Sequence, residues 1–314
     1  MSGYTGDDLR RAATAAIRAP SLHNSQPWCF RLRDGTIEVL ADRTRRPAVA
    51  DTTGWALRLA CGAATFNARL ALAAAGTPAD VLLRPYGELI ATLTPARRRP
   101  PTYTERDLAA VIPRRHSNRR PFRPDPVPSE TRVRLIEAAR AEGARLELLV
   151  GTTALAGFGE IARSADRVLR RDPAYQAEQV TWTHADLAPD GVPVSAGGPP
   201  AEPQDLLPQR PYGERRRAPG RDFEPEPLVA VLATAADRPF DQVLAGQAMQ
   251  AVLLTATDAG LATSLISQPI EVPAARDHLR RSLLRSGIPQ IAVRIGYGDP
   301  GRPSPRRTVD DVLL

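Results

Sequence analysis

Two long apolar segments, Trp55 to Ala75 and Phe240 to Ala259, constrain the fold of this chain more than any other feature. Each is rich in alanine, hydrophobic almost all round, and carries an internal glycine (Gly62-Ala63-Ala64 and Gly246-Gln247-Ala248). A helix without a polar face has to be buried, and small residues within it let a neighbouring backbone come close. Both segments run into Ala-Gly at the same offset (Ala75-Gly76 and Ala259-Gly260), and Leu70 and Leu254 occupy equivalent places. A strand pattern follows each of them. The repeat predicts an α+β fold of two related halves, each built on one buried helix.

Shorter patterns fill in both halves. Asp7 to Arg18 has helical spacing with acidic residues at its start. Trp28 to Leu32 and Thr36 to Leu40 read as a hairpin around Asp34-Gly35. Strand patterns at Val81 to Arg84 and Leu89 to Leu93 lead to a Pro/Arg break, Pro95 to Pro101, which suggests halves of 1–105 and 106–314. Beyond it, Ser129 is placed to cap a helix through Ala139, and Leu146 to Val150 reads as a strand. A helix from Thr153 to Arg170 and strands at Leu228 to Leu232 and Ile291 to Ile295 follow. Residues 189–227 mix Pro, Gly and charge without a period, the pattern of a lid or a disordered segment.

Composition removes several function classes. The chain of 314 residues contains no lysine, so its 42 basic residues are all arginine. That excludes lysine Schiff bases, pyridoxal phosphate attachment, a Walker A lysine and Ser-Lys dyads. Only Cys29 and Cys61 are present, without a CxxC pair, and the four histidines show no metal-ligand spacing. The net charge of +7 raises nucleic acid as a partner, but the arginine clusters lie beside prolines and no aromatic residues interleave with them. The expectation is a cytoplasmic protein, monomer or homodimer, with no nucleic-acid, membrane or metal partner. Gly157-Phe158-Gly159-Glu160-Ile161-Ala162 matches GxGxxA, yet its glycines fall inside the expected helix rather than at the strand-to-helix turn. Helix packing accounts for them better than dinucleotide binding.

Two segments carry more specific chemistry. Ala19 to Trp28 (APSLHNSQPW) sets small and amide side chains between a helix and a Trp-led strand. It fits a well-capped loop and equally a turn that presents donors to a ligand. In Arg115-His116-Ser117-Asn118-Arg119, extended alternation puts Arg115, Ser117 and Arg119 on one side. Two guanidinium groups flanking a hydroxyl suit a phosphate monoester, and a solvated charged strand is the alternative.

Together these segments resemble the nitroreductase family of FMN-dependent oxidoreductases. Pro20-Ser21-x-x-Asn24-Ser25-Gln26-Pro27-Trp28 is similar to its PSxxNxQPW loop, and Arg115-x-Ser117-x-Arg119 to its RxSxR phosphate motif. Gly260 to Ser267 looks like its Gly-Leu strand, and Gly296-Tyr297 with Pro305-Arg306-Arg307 like its C-terminal ending. The PSxxN loop precedes RxSxR here, an order that resembles the Acg-like branch, in which one chain mimics the family's dimer and covers a single FMN with a lid. The resemblance implies that Arg115, His116, Ser117 and Arg306 hold the FMN phosphate end. It sets Arg119 near the ribityl chain and the N1/O2 edge of the ring, where a cation favours the reduced form. Pro20, Ser21, Leu22 and Asn24 would contact the flavin from the other half, and the backbone of Ile266 and Ser267 would approach N5 and O4. Ser267-Gln268 stands where many members have Glu-Gly. The function implied is an NAD(P)H-dependent oxidoreductase acting on a small-molecule electron acceptor; the alternative is a protein that sequesters FMN under its lid, 189–227.

Overall fold

The computed structural model of the protein describes all residues except 1–2, 186–187, 200–201, 203–204, 213–225, 284–285 and 300. The first half runs α1 (Gly6–Ala16), β1 (Trp28–Arg33), β2 (Thr36–Ala41), α2 (Trp55–Ala74), β3 (Ala79–Leu83) and β4 (Leu89–Pro95). After α3 (Tyr103–Val111), the second half runs α4 (Ser129–Ala141), β5 (Arg145–Leu149), α5 (Thr152–Arg171), α6 (Pro173–Thr181) and the short strands β6 (Thr183–His184) and β7 (Val192–Pro193). It continues with β8 (Leu228–Thr234), α7 (Pro239–Asp258), β9 (Ala262–Ile266), α8 (Gln268–Glu271), α9 (Pro273–Leu283) and β10 (Ile288–Gly296).

The repeat expected from the sequence is present in the topology. One sheet has the order β1-β2-β4-β3 and the other β5-β8-β10-β9, and every neighbouring pair in both is antiparallel. Element by element, α1-β1-β2-α2-β3-β4 corresponds to α4-β5-β8-α7-β9-β10. The halves differ in two connections: α8 and α9 lie between β9 and β10 where residues 84–88 join β3 to β4, and the larger difference falls in the connection between the first two strands of each sheet. In the first half that connection is a two-residue turn at Asp34 (φ 49°) and Gly35 (φ 69°), the left-handed pair that the twist of a tight hairpin requires. In the second, the same connection holds α5, α6, β6, β7 and the segment that follows them.

Helices α2 and α7, each of 20 residues, pack backbone against backbone at the centre. A Cβ added to Gly62 would lie 2.1 Å from the Val243 carbonyl oxygen, and one added to Gly246 would lie 2.0 Å from that of Leu59. Polar groups are buried here too: Gln250 Nε2 donates to Asn67 Oδ1 at 2.8 Å and Asn67 Nδ2 to the Ala15 carbonyl of α1 at 2.9 Å, while Gln250 Oε1 and Gln247 Oε1 have no partner among the described residues. One apolar core continues from the first sheet across these helices to the second. The C-terminal tail returns to the first half, where Leu313 bridges Phe30 on the free edge of β1.

Three details refine the sequence expectations. Pro128, not Ser129, is the N-cap of α4, and Ser129 is its first helical residue. The segment 189–227 lies partly outside the described residues, and the described parts include β7 and a 3-10 turn at Val194–Ala196. Gly159 is a packing glycine of α5, as expected, and its unexpected neighbour is the Leu206 carbonyl oxygen, 2.7 Å from where a Cβ would sit.

Candidate functional site

A cleft of about 840 Å³, solvent at its mouth included, opens where the two halves meet. Its walls come from the loop after α1 (Pro20 to His23), the start of α2 (Trp55, Ala56, Leu59, Ala60), and Ser117 and Arg119. Met249, Ser264 to Gln268 and Ile291 form the far wall, and Pro208 to Arg210 with Tyr212 form a strap across it.

The loop after α1 is held in an unusual backbone shape. His23, Asn24 and Gln26 have φ of 52°, 56° and 53°. Left-handed conformations cost energy for side chains other than glycine, and they persist where surrounding bonds over-determine them. Here Ser21 Oγ accepts from the Gln26 amide at 2.9 Å. Asn24 Nδ2 donates to the Gly191 and Pro305 carbonyls at 2.8 and 2.9 Å, and Gln26 Nε2 to the Pro189 carbonyl at 2.9 Å. The loop is therefore tied to the 189–191 stretch and to the C-terminal tail. Asn24 Oδ1 is buried and has no partner among the described residues.

The 115–119 segment runs alongside β9. The Asn118 amide donates to the Thr263 carbonyl at 2.8 Å, forming a parallel bridge between Ser117 and Thr263. Alternation then turns Ser117 and Arg119 into the cleft and Asn118 away, toward the Asp299 carbonyl at 2.7 Å. Arg115 and Arg306 lie behind the cleft wall: Arg115 donates to the Arg18 carbonyl at 3.0 Å and Arg306 to the Ala19 carbonyl at 3.2 Å. His116 does not line the cleft, and its Nδ1 sits 2.9 Å from the Arg114 carbonyl oxygen. Pro20, Ser21, Leu22, Ile266 and Ser267 all line the cleft, whereas Asn24 flanks it.

The charge distribution is one-sided. Arg115 is 5% exposed, yet its Nε and Nη1 have no partner among the described residues, and neither has Arg306 Nε. Burial, and then the cation of Arg119, push Arg115 down to about 10. Burial, and then Arg115, Arg18 and Arg119, push Arg306 down to about 9. Arginine holds its proton in proteins, so these shifts measure the cost of the ligand-free cations rather than a titration. Among the described residues no carboxylate pairs with Arg115, Arg119 or Arg306, and a bound anion would relieve all three. Arg210 differs: burial opposes its charge, but the Glu271 carboxylate at 2.6 Å holds it well above the usual value.

Three lining residues were not anticipated: His23, Arg210 and Tyr212. His23 Nδ1 is 3.2 Å from the Tyr212 hydroxyl, and the Arg119 guanidinium lies over the Tyr212 ring at 4.9 Å. Burial, then Arg210 and Arg119, hold the His23 imidazole well below its usual pKa of 6.5, so it is neutral at neutral pH. Below pH 6.5 the unfolded chain takes up a proton at this residue while the folded protein does not. Stability is therefore expected to fall on acidification by up to about 1.4 kcal/mol per pH unit. His23→Gln should flatten that slope in urea melts between pH 6.5 and 5.5, and an unchanged slope would assign it to other groups.

Comparison with known proteins identifies the family. The family model described as "Nitroreductase family" matches residues 112–297. The chain is 31% identical over 317 residues to the "Putative NAD(P)H nitroreductase Rv3131" of Mycobacterium tuberculosis, covering 98% of this chain and 91% of that one. It is also 31% identical over 323 residues to the "Putative NAD(P)H nitroreductase acg" of the same organism, covering 98% and 96%. Among solved structures, a nitroreductase with bound FMN from Desulfitobacterium hafniense matches at 16% identity with a TM-score of 0.42, over 66% of this chain and 97% of that one.

Proposed function

The chain belongs to the nitroreductase family, in its Acg-like branch, and from that premise we propose that it binds one FMN in the cleft between its halves and acts as an NAD(P)H-dependent oxidoreductase. The observation that carries the proposal is the set of buried arginines behind the cleft, Arg115 and Arg306, with donor atoms lacking partners and no carboxylate among the described residues beside them. A phosphate monoester supplies the missing charge and the missing acceptors. When bound, FMN would supply the redox chemistry, hydride transfer between NAD(P)H and an electrophilic acceptor.

The residues divide the rest of the work. Arg115, Ser117 and Arg306 hold the phosphate end, with His116 supporting that loop. Arg119 lies further along the cleft, a fixed cation for the N1/O2 edge of the ring. Pro20, Ser21 and Leu22 form the wall from the first half, and Asn24 offers its unpartnered Oδ1 to the ribityl hydroxyls. β9 is the edge strand of its sheet, bridged on its outer side at Thr263 by Ser117, and the ring would approach the backbone that follows, at Ile266 and the Ser267 amide; the Ser267 carbonyl accepts from the Ile270 and Glu271 amides. No acid or base side chain is required for this chemistry; the chain contributes position and electrostatics.

A second reading, sequestration of FMN without turnover, is favoured by the strap. Its backbone is tied at several points: the Asp205 and Leu206 carbonyls accept from Arg163 at 3.1 and 2.8 Å, and the Gln209 carbonyl accepts from Arg170 at 3.0 Å. Gln179 donates to the Pro211 carbonyl. Visible spectra of the purified protein, recorded anaerobically, separate the readings. Flavin bands that bleach on adding NADPH mean turnover, and bands that persist mean sequestration. Failure of the apoprotein to take up FMN sinks both.

A further inference from the structure

Trp55 opens α2 and lines the cleft, but its indole nitrogen is bonded to a residue outside the lining. Nε1 donates to Oε1 of the fully buried Gln290 at 3.1 Å. Gln290 owes its place to a break in the ladder. Pro289 pairs with Ala233 and Ile291 with Leu232, so Gln290 is an extra residue on β10 with no opposite number on β8. Such a bulge re-aims one side chain, and bulges are common beside functional sites. Ile291, the next residue, itself lines the cleft.

The Gln290 amide has one orientation that satisfies its neighbours. Its Nε2 lies 2.9 Å from Thr234 Oγ1 and 3.1 Å from Asp237 Oδ1. The Thr234 hydroxyl donates to the Ala236 carbonyl at 2.7 Å, so its oxygen is left to accept. Burial opposes the charge of Asp237, but bonds from Arg276, Gln242 and Gln290 outweigh it and hold the carboxyl below its usual range. Arg276 binds both of its oxygens, at 2.6 and 2.8 Å. An ionised carboxylate only accepts, so both Nε2 protons of Gln290 are committed and Oε1 is turned to the indole. Arg276 also donates to the Pro289 carbonyl at 2.9 Å, which ties down the backbone of the bulge. On the other side, Gln242 donates to Asp237 at 3.0 Å and accepts from Arg58 at 2.6 Å. Arg58 lies about one turn beyond Trp55, so the circuit leaves α2 and returns to it.

We propose that Asp237 and Gln290, neither of which lines the cleft, are positioning residues that hold the Trp55 indole as a fixed wall of it, Asp237 acting by orienting the Gln290 amide. Trp55 is the one aromatic ring that the described helices and strands give to the lining. The bond at its Nε1 stops the ring from turning about its own stem, so the tilt of a large flat side chain, and with it the width of the cleft there, is set from outside. The proposal rests on the FMN reading only for its binding measurement; the circuit belongs to the chain alone.

The indole N–H resonance of Trp55, assigned by its loss in Trp55→Phe, reads the bond directly, with or without flavin in the protein. Gln290→Leu should shift it and speed its exchange with solvent about tenfold or more. Asp237→Asn should do the same although the carboxylate makes no bond to the indole, because asparagine also donates and frees the Gln290 amide to turn over. FMN affinity, measured by titration of the apoprotein, should fall about fivefold in Gln290→Leu, the usual worth of one hydrogen bond. The double variant Trp55→Phe/Gln290→Leu should bind FMN as Trp55→Phe does, since Gln290 acts through the indole; a merely structural role would add the two losses. A resonance unmoved by Asp237→Asn overturns the orienting role, and it can be read even where Gln290→Leu fails to fold. Additive losses, or full FMN affinity in Gln290→Leu with the resonance displaced, overturn the positioning of the cleft wall. A parent protein that takes up no FMN defeats the FMN reading instead, and the resonance still tests the circuit.

Discussion

Arg115→Ala is expected to release FMN during gel filtration, with affinity reduced at least about 100-fold, while riboflavin binding changes little. The size follows from charge-assisted bonds worth about 1.5–3 kcal/mol each, of which the phosphate would draw on the two unpartnered donor atoms of Arg115. The sign of the accompanying stability change separates a ligand-binding role from a structural one. Among the described residues the Arg115 side chain donates to the Arg18 carbonyl, and otherwise it sits as a buried cation beside Arg119 and Arg306. Removing a buried charge that lacks a counter-ion relieves the ligand-free protein. The ligand-free variant should therefore melt no lower than the ligand-free parent, and only the gain on adding FMN or inorganic phosphate should disappear. Exposed Arg114, next in sequence, is the control, and its alanine variant should keep full FMN. An Arg115→Ala protein that retains FMN, or one that loses stability and affinity together, refutes the phosphate assignment.

How legible this molecule is from its sequence depends on how far apart the interacting residues lie. The hairpin at Asp34-Gly35 and the extent of α2 and α7 depend on neighbours in the chain, and the structure finds them within about two residues of where the patterns set them. The alternation of 115–119 is equally local. Two missed helices carried signals of their own: Thr102 and Glu105 form the capping box of α3, and Asp172-Pro173 caps α6 and opens it. Arg210 and Tyr212 carried none. Their significance comes from Glu271, 61 positions away, and from His23, 189 positions away. Those contacts exist only because the inserted segment crosses the cleft. A stretch without periodicity reads as a loop whether or not its side chains complete a site. The same holds for His23, whose local sequence marks a turn but says nothing of the buried nitrogen left without a partner.

Gly246→Val is expected to leave no soluble native protein. Even the first carbon of the new side chain would sit 2.0 Å from the Leu59 carbonyl oxygen and 2.9 Å from the Gly62 Cα. Both obstacles are helical backbone, which cannot rotate aside as a side chain can, so α2 and α7 would have to separate along their length. Overpacking of a core costs about 1–3 kcal/mol when side chains can adjust, and a clash of backbone with a β-branched residue exceeds that. Separation would also break the Gln250–Asn67 bond and leave buried amides without partners. The site would go with the packing, because Leu59 and Ala60 on α2 face Met249 on α7 across the cleft. Gly246→Ala is the graded version, with a loss of about 3 kcal/mol or more in urea melts, and Gly62→Ala should match it, since its Cβ meets the Val243 carbonyl at 2.1 Å. Equal losses at the two positions are the signature of one contact read from both sides. If either alanine variant melts like the parent, the two helices are not in backbone contact, and the symmetry of the halves must rest on their sheets.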